Sequence, residues 1–423
     1  MAAADTSLVQ LAAEAANAAD LQQCFDKLNV DSKLFAINLK AIEGAHAKIK
    51  DFIHETPVVT SQQLDAISGL QLYFKLEALQ RTGSFKASAG TNCSLASERH
   101  TKTVQVRGAM NAVLSLSTEE ASKGVVTHSS GNHAQALALA AKTRGIPANI
   151  VMPSDAPQVK KDAVAGYGAT ITQCAPTNEA RNTAAAALQH ELGSHFVHPS
   201  NDPAVMAGQG TMALELLQQI PAMLQQQATR AAAQAAALQA LGVALPPPNP
   251  PAHPSDAPVV DAVVVPLGGG GMLSGVTIAI KSIDPRILVI AGEPAGAADA
   301  AASVQRGQLT GHEQPPCTVA DGLRTTLGSN TWPIVQHAID GIITMTDAEI
   351  LLGMELLWTR LKIAAEPSAG VGVATVLSPA FKKRFPQAKR VAVIVCGGNV
   401  DVGEFPLGPL DGSTVGGYST SQA

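Results

Sequence analysis

Three short segments carry side chains or backbone that could do chemistry. Lys86 ends the run Thr82-Gly83-Ser84-Phe85-Lys86. A lysine amine forms a Schiff base with an aldehyde cofactor, and becomes a usable base when burial lowers its pKa. The same lysine on an open turn is only a solvated surface group. The second segment is Ser129-Ser130-Gly131-Asn132-His133. Hydroxyls, an amide and free N–H groups at a turn into a helix suit a carboxylate, although serine and asparagine there could serve only as helix caps. The third is the unbroken run Gly268, Gly269, Gly270 and Gly271. Backbone without side chains ahead of a helix makes a cup of N–H groups for a phosphate, and glycine permits positive φ and close ligand approach. The plainer reading of such a run is a flexible turn.

Each segment follows a β-type stretch, at 72–77, 124–128 and 259–266, and helical stretches follow the last two at 134–142 and 272–281. From Val125 onward β-type runs at 125–127, 148–152, 170–174, 260–266, 288–292 and 391–395 alternate with helical ones. That alternation predicts an α/β fold with mostly parallel sheets. A chain of 423 residues can bury a sizeable core and is expected to make two lobes. Net charge is only −5 and Lys/Arg form no dense block, which gives a nucleic-acid partner no support. The five cysteines have neither zinc nor disulfide-framework spacing, as in a reducing compartment. No apolar run reaches the roughly 18 residues of a membrane helix. Asp5, Glu14, Asp20 and Asp26, with no arginine in the first 80 residues, speak against a transit peptide, so a cytoplasmic location is expected.

In this order, and with Val395-Cys396-Gly397-Gly398-Asn399 near the end, these segments resemble the fold-type II pyridoxal phosphate enzymes. Within them the chain is most similar to the eukaryotic serine racemase branch of the serine/threonine dehydratases. The likeness spans 35–401 and includes His54-Glu55-Thr56-Pro57-Val58, Val197-His198-Pro199, Ala207-Gly208-Gln209-Gly210-Thr211, Ile290-Ala291-Gly292-Glu293-Pro294 and Glu366-Pro367-Ser368-Ala369-Gly370. A dinucleotide-binding reading of the glycine run is set aside, because the G-x-G-x-x-G spacing and its following acid are missing. The resemblance implies two open, twisted, mostly parallel sheet lobes, the small one at 124–201 inserted in a large one at 31–123 and 202–404. Outside these lie an Ala-rich extension at 1–30 and a disordered tail at 405–423. The low-complexity stretch 225–258, from Gln/Ala repeats into a proline run, is expected to be a surface loop.

The implied reaction is interconversion of L- and D-serine, with β-elimination of serine and threonine to a 2-oxo acid and ammonia. Two alternatives stay open: a serine/threonine or 3-hydroxyaspartate dehydratase without racemase activity, and a catalytically impaired homologue. By the resemblance Lys86 holds pyridoxal 5′-phosphate and acts as one base. Ser130 is the acid on the opposite face, or else binds only the substrate carboxylate with Ser129, Gly131, Asn132 and His133. Phe85 packs on the cofactor, Asn132 meets its ring hydroxyl, Gly268 to Gly271 with Met272 hold its phosphate, and Cys396 faces its ring nitrogen. The family's racemases often carry asparagine where this chain has Ser200. Glu293, Ala297 and Asp299 match a Mg²⁺ or Ca²⁺ site, although as bare sequence the acid pair reads as a solvated loop. Arg81, Thr82, Gln135, Tyr167, Lys362 and Asn399 match an ATP effector site in a homodimer.

One departure bears on the chemistry. The family motif runs Ser-Phe-Lys, one apolar residue, then Arg-Gly-Ala, whereas here a polar stretch of 19 residues, 87–105, separates Lys86 from Val106-Arg107-Gly108-Ala109. Either the segment is a gene-model artefact or splice variant, or it takes from Lys86 the rigid helix that aims its amine. A misplacement of an ångström can cost on the order of a hundredfold in rate.

Overall fold

The computed structural model describes residues 34–80, 104–129, 131–156, 158–241 and 257–400. Arg81, Thr82, Phe85, Lys86 and Ser130 lie outside them, as do the 1–30 extension, the 405–423 tail and all but the last two residues of 87–105.

Ten strands are numbered along the chain: β1 Val58–Val59, β2 Gln71–Lys75, β3 Val125–His128, β4 Ala148–Pro153, β5 Thr170–Cys174, β6 His195–Phe196, β7 Ala262–Pro266, β8 Leu288–Pro294, β9 Gly341–Met345 and β10 Arg390–Ile394. Seven helices bear on the site and are numbered among themselves: α1 Leu39–Ile49, α2 Gln105–Ser115, α3 Asn132–Arg144, α4 Pro203–Ala240, α5 Gly271–Ile283, α6 Asp299–Arg306 and α7 Pro367–Leu377. One sheet has the order β1-β2-β10-β7-β8-β9 and the other β5-β4-β3-β6. All neighbours are parallel except β1 against β2. Every residue of β7 is buried, as expected of a central parallel strand covered on both faces by helices, and this explains its unalternating Ala-Val-Val-Val-Pro sequence.

Each sheet has its own apolar cluster. The cluster of the four-stranded sheet also takes in Ile49, Ile53, Val106, Met110, Val113 and Val205, all from outside 124–201. Helices α2 and α4 touch backbone to backbone: a Cβ on Gly208 would lie 2.5 Å from the Arg107 carbonyl oxygen, and one on Gly108 would lie 2.7 Å from Val205 Cγ1.

One expectation is corrected. The stretch from Gln225 is not a loop at its start: α4 runs unbroken to Ala240, through Pro221. Alanine and glutamine are strong helix formers, and in a run without glycine that propensity decides the local structure; residues 242–256 are outside the described set. Strands β1, β6 and β9 are missing from the sequence reading: the first two have two residues each, and Gly-Ile-Ile-Thr-Met of β9, at the sheet edge, is too mixed to stand out. Among the described residues no helix is long and apolar enough to cross a membrane.

Candidate active site

Strand β7 runs into the glycine run, and α5 starts at Gly271. Gly270 has φ +81°, where a side chain would be strained. A Cβ on Gly269 would lie 2.3 Å from Ser200 Oγ, one on Gly271 2.6 Å from the Ser200 carbonyl oxygen, and one on Gly268 2.9 Å from Leu323 Cα. These contacts leave no room for side chains, and they place Ser200, just beyond β6, against the cup. The first amides of α5, including that of Met272, have no acceptor within the helix. The Gly269 N–H is already held by Thr325 Oγ1 at 2.9 Å.

In the four-stranded sheet, β3 ends at His128 and α3 begins at Asn132. The Gly131 N–H donates to Ser129 Oγ at 3.3 Å, closing the turn. Asn132 Nδ2 donates to Glu366 Oε1 at 3.0 Å, and Asn132 Oδ1 accepts from Asn399 Nδ2 at 2.7 Å. The Asn399 backbone N–H donates to Glu366 Oε2 at 3.0 Å. Burial, then the nearby Asp321 carboxylate, pushes the Glu366 carboxyl up to about 8 against the pull of those bonds. Cys396, at the end of β10, is buried, and burial followed by Glu366 pushes its thiol well above the ordinary value, so it stays protonated and neutral. Glu366 joins this cluster, whereas the sequence reading quotes it only within the motif Glu366-Pro367-Ser368-Ala369-Gly370 and gives it no role. Its available signal is its place directly before Pro367, which opens α7.

His133 departs from a simple substrate contact. Its ring is buried with Nε2 3.3 Å from the Val197 carbonyl oxygen, and burial lowers its pKa to about 3. Only its backbone, in the first turn of α3, is placed to meet a carboxylate. His198 is lowered to about 4 by burial and then by His128, and its Nδ1 accepts from the Ser200 and Asn201 amides at 3.2 and 2.9 Å.

Glu293 is the last residue but one of β8, Ala297 closes a short 3₁₀ turn and Asp299 opens α6. The Glu293 oxygens accept from the Ala300 and Ala301 amides at 2.8 and 2.9 Å, and burial outweighs these bonds, pushing its carboxyl up to about 8 with help from Asp299. Asp299 Oδ2 accepts from the Leu327 amide at 2.9 Å, whereas its buried Oδ1 has no hydrogen-bond donor and His312 Nε2 stands 3.7 Å away. Among the described residues no three His, Cys, Asp or Glu side chains gather as metal ligands. Of the residues matched to the effector site, Asn399 belongs to the Asn132–Glu366 network and Gln135 and Tyr167 are buried. Lys362 has φ +60° directly after a π-helical turn, Leu357–Leu361.

Around Arg107 of α2 lies a buried charge network. Arg107 donates from Nε to Glu77 at 2.8 Å and from Nη1 to Glu215 at 2.6 Å, and Lys75 Nζ donates to Glu215 at 2.5 Å. Burial pushes Glu77 up, but Arg107, with Lys75 and the Thr56 hydroxyl, overcomes it and leaves Glu77 below the usual carboxylate value. The N-terminal side of α2 is also tied to the C-terminal end of β10, where the Val104 N–H donates to the Cys396 carbonyl oxygen at 3.1 Å.

Comparison with known proteins agrees with this geometry. A family model described as "Pyridoxal-phosphate dependent enzyme" matches residues 49–235 and 252–397. The chain belongs to that family. Its sequence is 42% identical to serine racemase of Homo sapiens over 371 residues, which is 87% of this chain and 93% of that one. Among solved structures, maize serine racemase superposes with a TM-score of 0.73 at 37% identity, covering 88% of this chain and 96% of that one. Serine racemase from Dictyostelium discoideum superposes with a TM-score of 0.70 at 40% identity, covering 87% and 100%. A solved threonine deaminase has a TM-score of 0.68 at 35% identity, covering 86% and 99%. The fold is therefore that of a fold-type II pyridoxal phosphate enzyme, within a group of racemases and ammonia-lyases. The residues present fit its cofactor: a side-chain-free amide run suits a phosphate, a neutral buried thiol suits the ring nitrogen, and the Asn132 amide is fixed by Glu366 and Asn399.

Proposed function

We propose that this pyridoxal phosphate enzyme interconverts L- and D-serine and eliminates water from serine and threonine to give a 2-oxo acid and ammonia. The observation that carries the reading is the joining of the two sheets at one place: Asn132, from the four-stranded side, is bonded to Glu366 and Asn399, which flank the Cys396 end of β10. When bound, pyridoxal phosphate accepts the electrons left at Cα and so makes the Cα proton acidic. The Gly268–Met272 amides would hold its phosphate, and the neutral Cys396 thiol would leave its ring nitrogen largely unprotonated, which favours proton transfer and elimination over transamination. The Ser129–Asn132 turn orients the substrate carboxylate at the start of α3, where N–H groups and the helix dipole favour an anion. Lys86 moves the Cα proton on one face and the Ser130 hydroxyl serves the other.

Glu293, Asp299 and the Ala297 carbonyl would hold Mg²⁺ or Ca²⁺, a reading supported by the donorless buried Oδ1 of Asp299. A cytoplasmic homodimer with an ATP site and a small lobe at about 124–201 completes the reading. The test assays D-serine and pyruvate side by side from L-serine, with the full chain and with the chain lacking 87–105. D-serine is expected from at least one form, and Ser130→Ala should cut it by on the order of a hundredfold while much of the pyruvate survives. Pyruvate without D-serine from both forms would make the protein a plain dehydratase.

A further inference from the structure

The place of Gln105 in α2 decides what the polar segment does to this site, on the reading that the site holds pyridoxal phosphate. Three contacts fix α2 along and about its axis. The Arg107 fork grips Glu77 beside β2 and Glu215 on α4. The Gly108–Gly208 approach sets the helix phase against α4. The Val104 amide is bonded to the carbonyl of Cys396, the residue matched to the cofactor ring nitrogen. Because the register is fixed at Arg107, the residue two positions before it stands at a determined place, in the first turn of the helix. In the Lys-x-Arg-Gly-Ala motif that place belongs to the lysine; here it belongs to Gln105.

The surroundings of Gln105 agree with that assignment. It is half-buried, and its Oε1 accepts from Gln209 Nε2 at 3.4 Å. The next residue of α4, Gly210, lies against α5 one turn beyond the glycine cup: a Cβ on Gly210 would be 2.7 Å from the Gly275 carbonyl oxygen. Gln105 thus follows the residue bonded to Cys396 and is itself bonded to Gln209, whose neighbour Gly210 packs on the cup's helix.

We propose that Gln105 occupies the station of the cofactor-binding lysine, so that the chain carrying 87–105 holds pyridoxal phosphate without a covalent bond. A lysine amine at this station would attack the cofactor's aldehyde carbon, form a carbon–nitrogen double bond and release the oxygen as water. The Gln105 amide nitrogen shares its lone pair with its own carbonyl and does not make this attack. Without 87–105, Lys86 directly precedes Val106-Arg107-Gly108-Ala109, which restores an amine to the first turn of α2. On this proposal the Lys86 chemistry set out above belongs to a chain lacking 87–105, and a chain carrying the segment binds the cofactor without that chemistry.

The test reads covalent attachment rather than turnover. The full chain, the chain lacking 87–105 and the full chain with Gln105→Lys are loaded with pyridoxal phosphate, reduced with borohydride to fix any carbon–nitrogen bond as a secondary amine, digested and mapped by mass spectrometry. The full chain should show no pyridoxyl group on Lys86 and should lose its cofactor on gel filtration. The shortened chain should carry the group on Lys86, and Gln105→Lys should carry it at position 105. Labelling of Lys86 in the full chain to the level seen in the shortened one would overturn the proposal, as would absence of label at position 105 in the folded Gln105→Lys chain. If the shortened chain does not fold, that second variant still decides. A shortened chain labelled on Lys86 that forms neither D-serine nor pyruvate would refute the proposed reaction and leave the Gln105 assignment standing.

Discussion

Around Arg107, two buried carboxylates, Glu77 and Glu215, meet two buried cations, Arg107 and Lys75. Between and beside the two sheets, Glu366, Glu293 and Asp299 are equally buried, yet among the described residues neither Glu366 nor Glu293 forms an ion pair. Removing an ion from water costs several kcal/mol, so a buried carboxylate needs a cation, a proton or a ligand. Where the chain supplies the cation itself, the Glu77 carboxyl is held below its ordinary value and the network fixes helices in place. Where it does not, the carboxyl is pushed up, and the position is set for something that comes and goes.

The largest expected effect breaks the balanced side. Arg107→Met leaves Glu77 and Glu215 with Lys75 alone and should destabilise the fold by about 3–5 kcal/mol, read as a fall in the denaturant midpoint. A loss below about 1 kcal/mol would show that the network behaves like a surface pair and does not anchor α2.

The second prediction sharpens the contrast through pH. The Glu366 carboxyl is raised from 4.5 to about 8, so its contribution to stability is full below 4.5 and is lost as pH rises through about 8. Glu77 has the opposite sign: its contribution is present above 4.5 and is lost as pH falls below that value. Glu366→Gln, a neutral isostere, should therefore remove a decline of up to about 1.4 kcal/mol per pH unit across that window, while leaving the acid limb unchanged. Melting curves of both proteins across the window check it, and identical slopes would mean that Glu366 is ionised in the folded state.

The smallest effect concerns the cation. Mg²⁺ or Ca²⁺ at tenfold over its Kd should stabilise the protein by about 1.4 kcal/mol, a melting shift of a few degrees, and chelation should reverse it. Asp299→Asn should abolish the shift. A shift that survives this substitution would move the cation elsewhere.

Much of the fold is legible because parallel α/β units are written locally. The runs that form β3, β4, β7, β8 and β10 are short, apolar and bounded by turn residues, and Gly268 to Gly271 announce a helix start with no side chains in the way. The helix over 225–240 escapes the sequence reading because low complexity points to a loop, although the alanine and glutamine composition favours helix. The candidate site is legible where it lies within one segment, as in the glycine cup and the Ser129–His133 turn. It is not legible where distant segments meet.

Sequence by itself determined the alternating architecture, the order of the motifs and hence the cofactor family, because these rest on neighbours a few residues apart. Tertiary structure alone decided which carboxylates are paired and which are left to a proton or a ligand, and that Gln105 holds the first turn of α2. Asn132 and Glu366 are 234 positions apart, and Arg107 and Glu215 are 108 apart. The burial that raises one carboxyl and the cation that lowers another come from how sheets and helices pack, and local sequence carries no record of which distant charge will arrive.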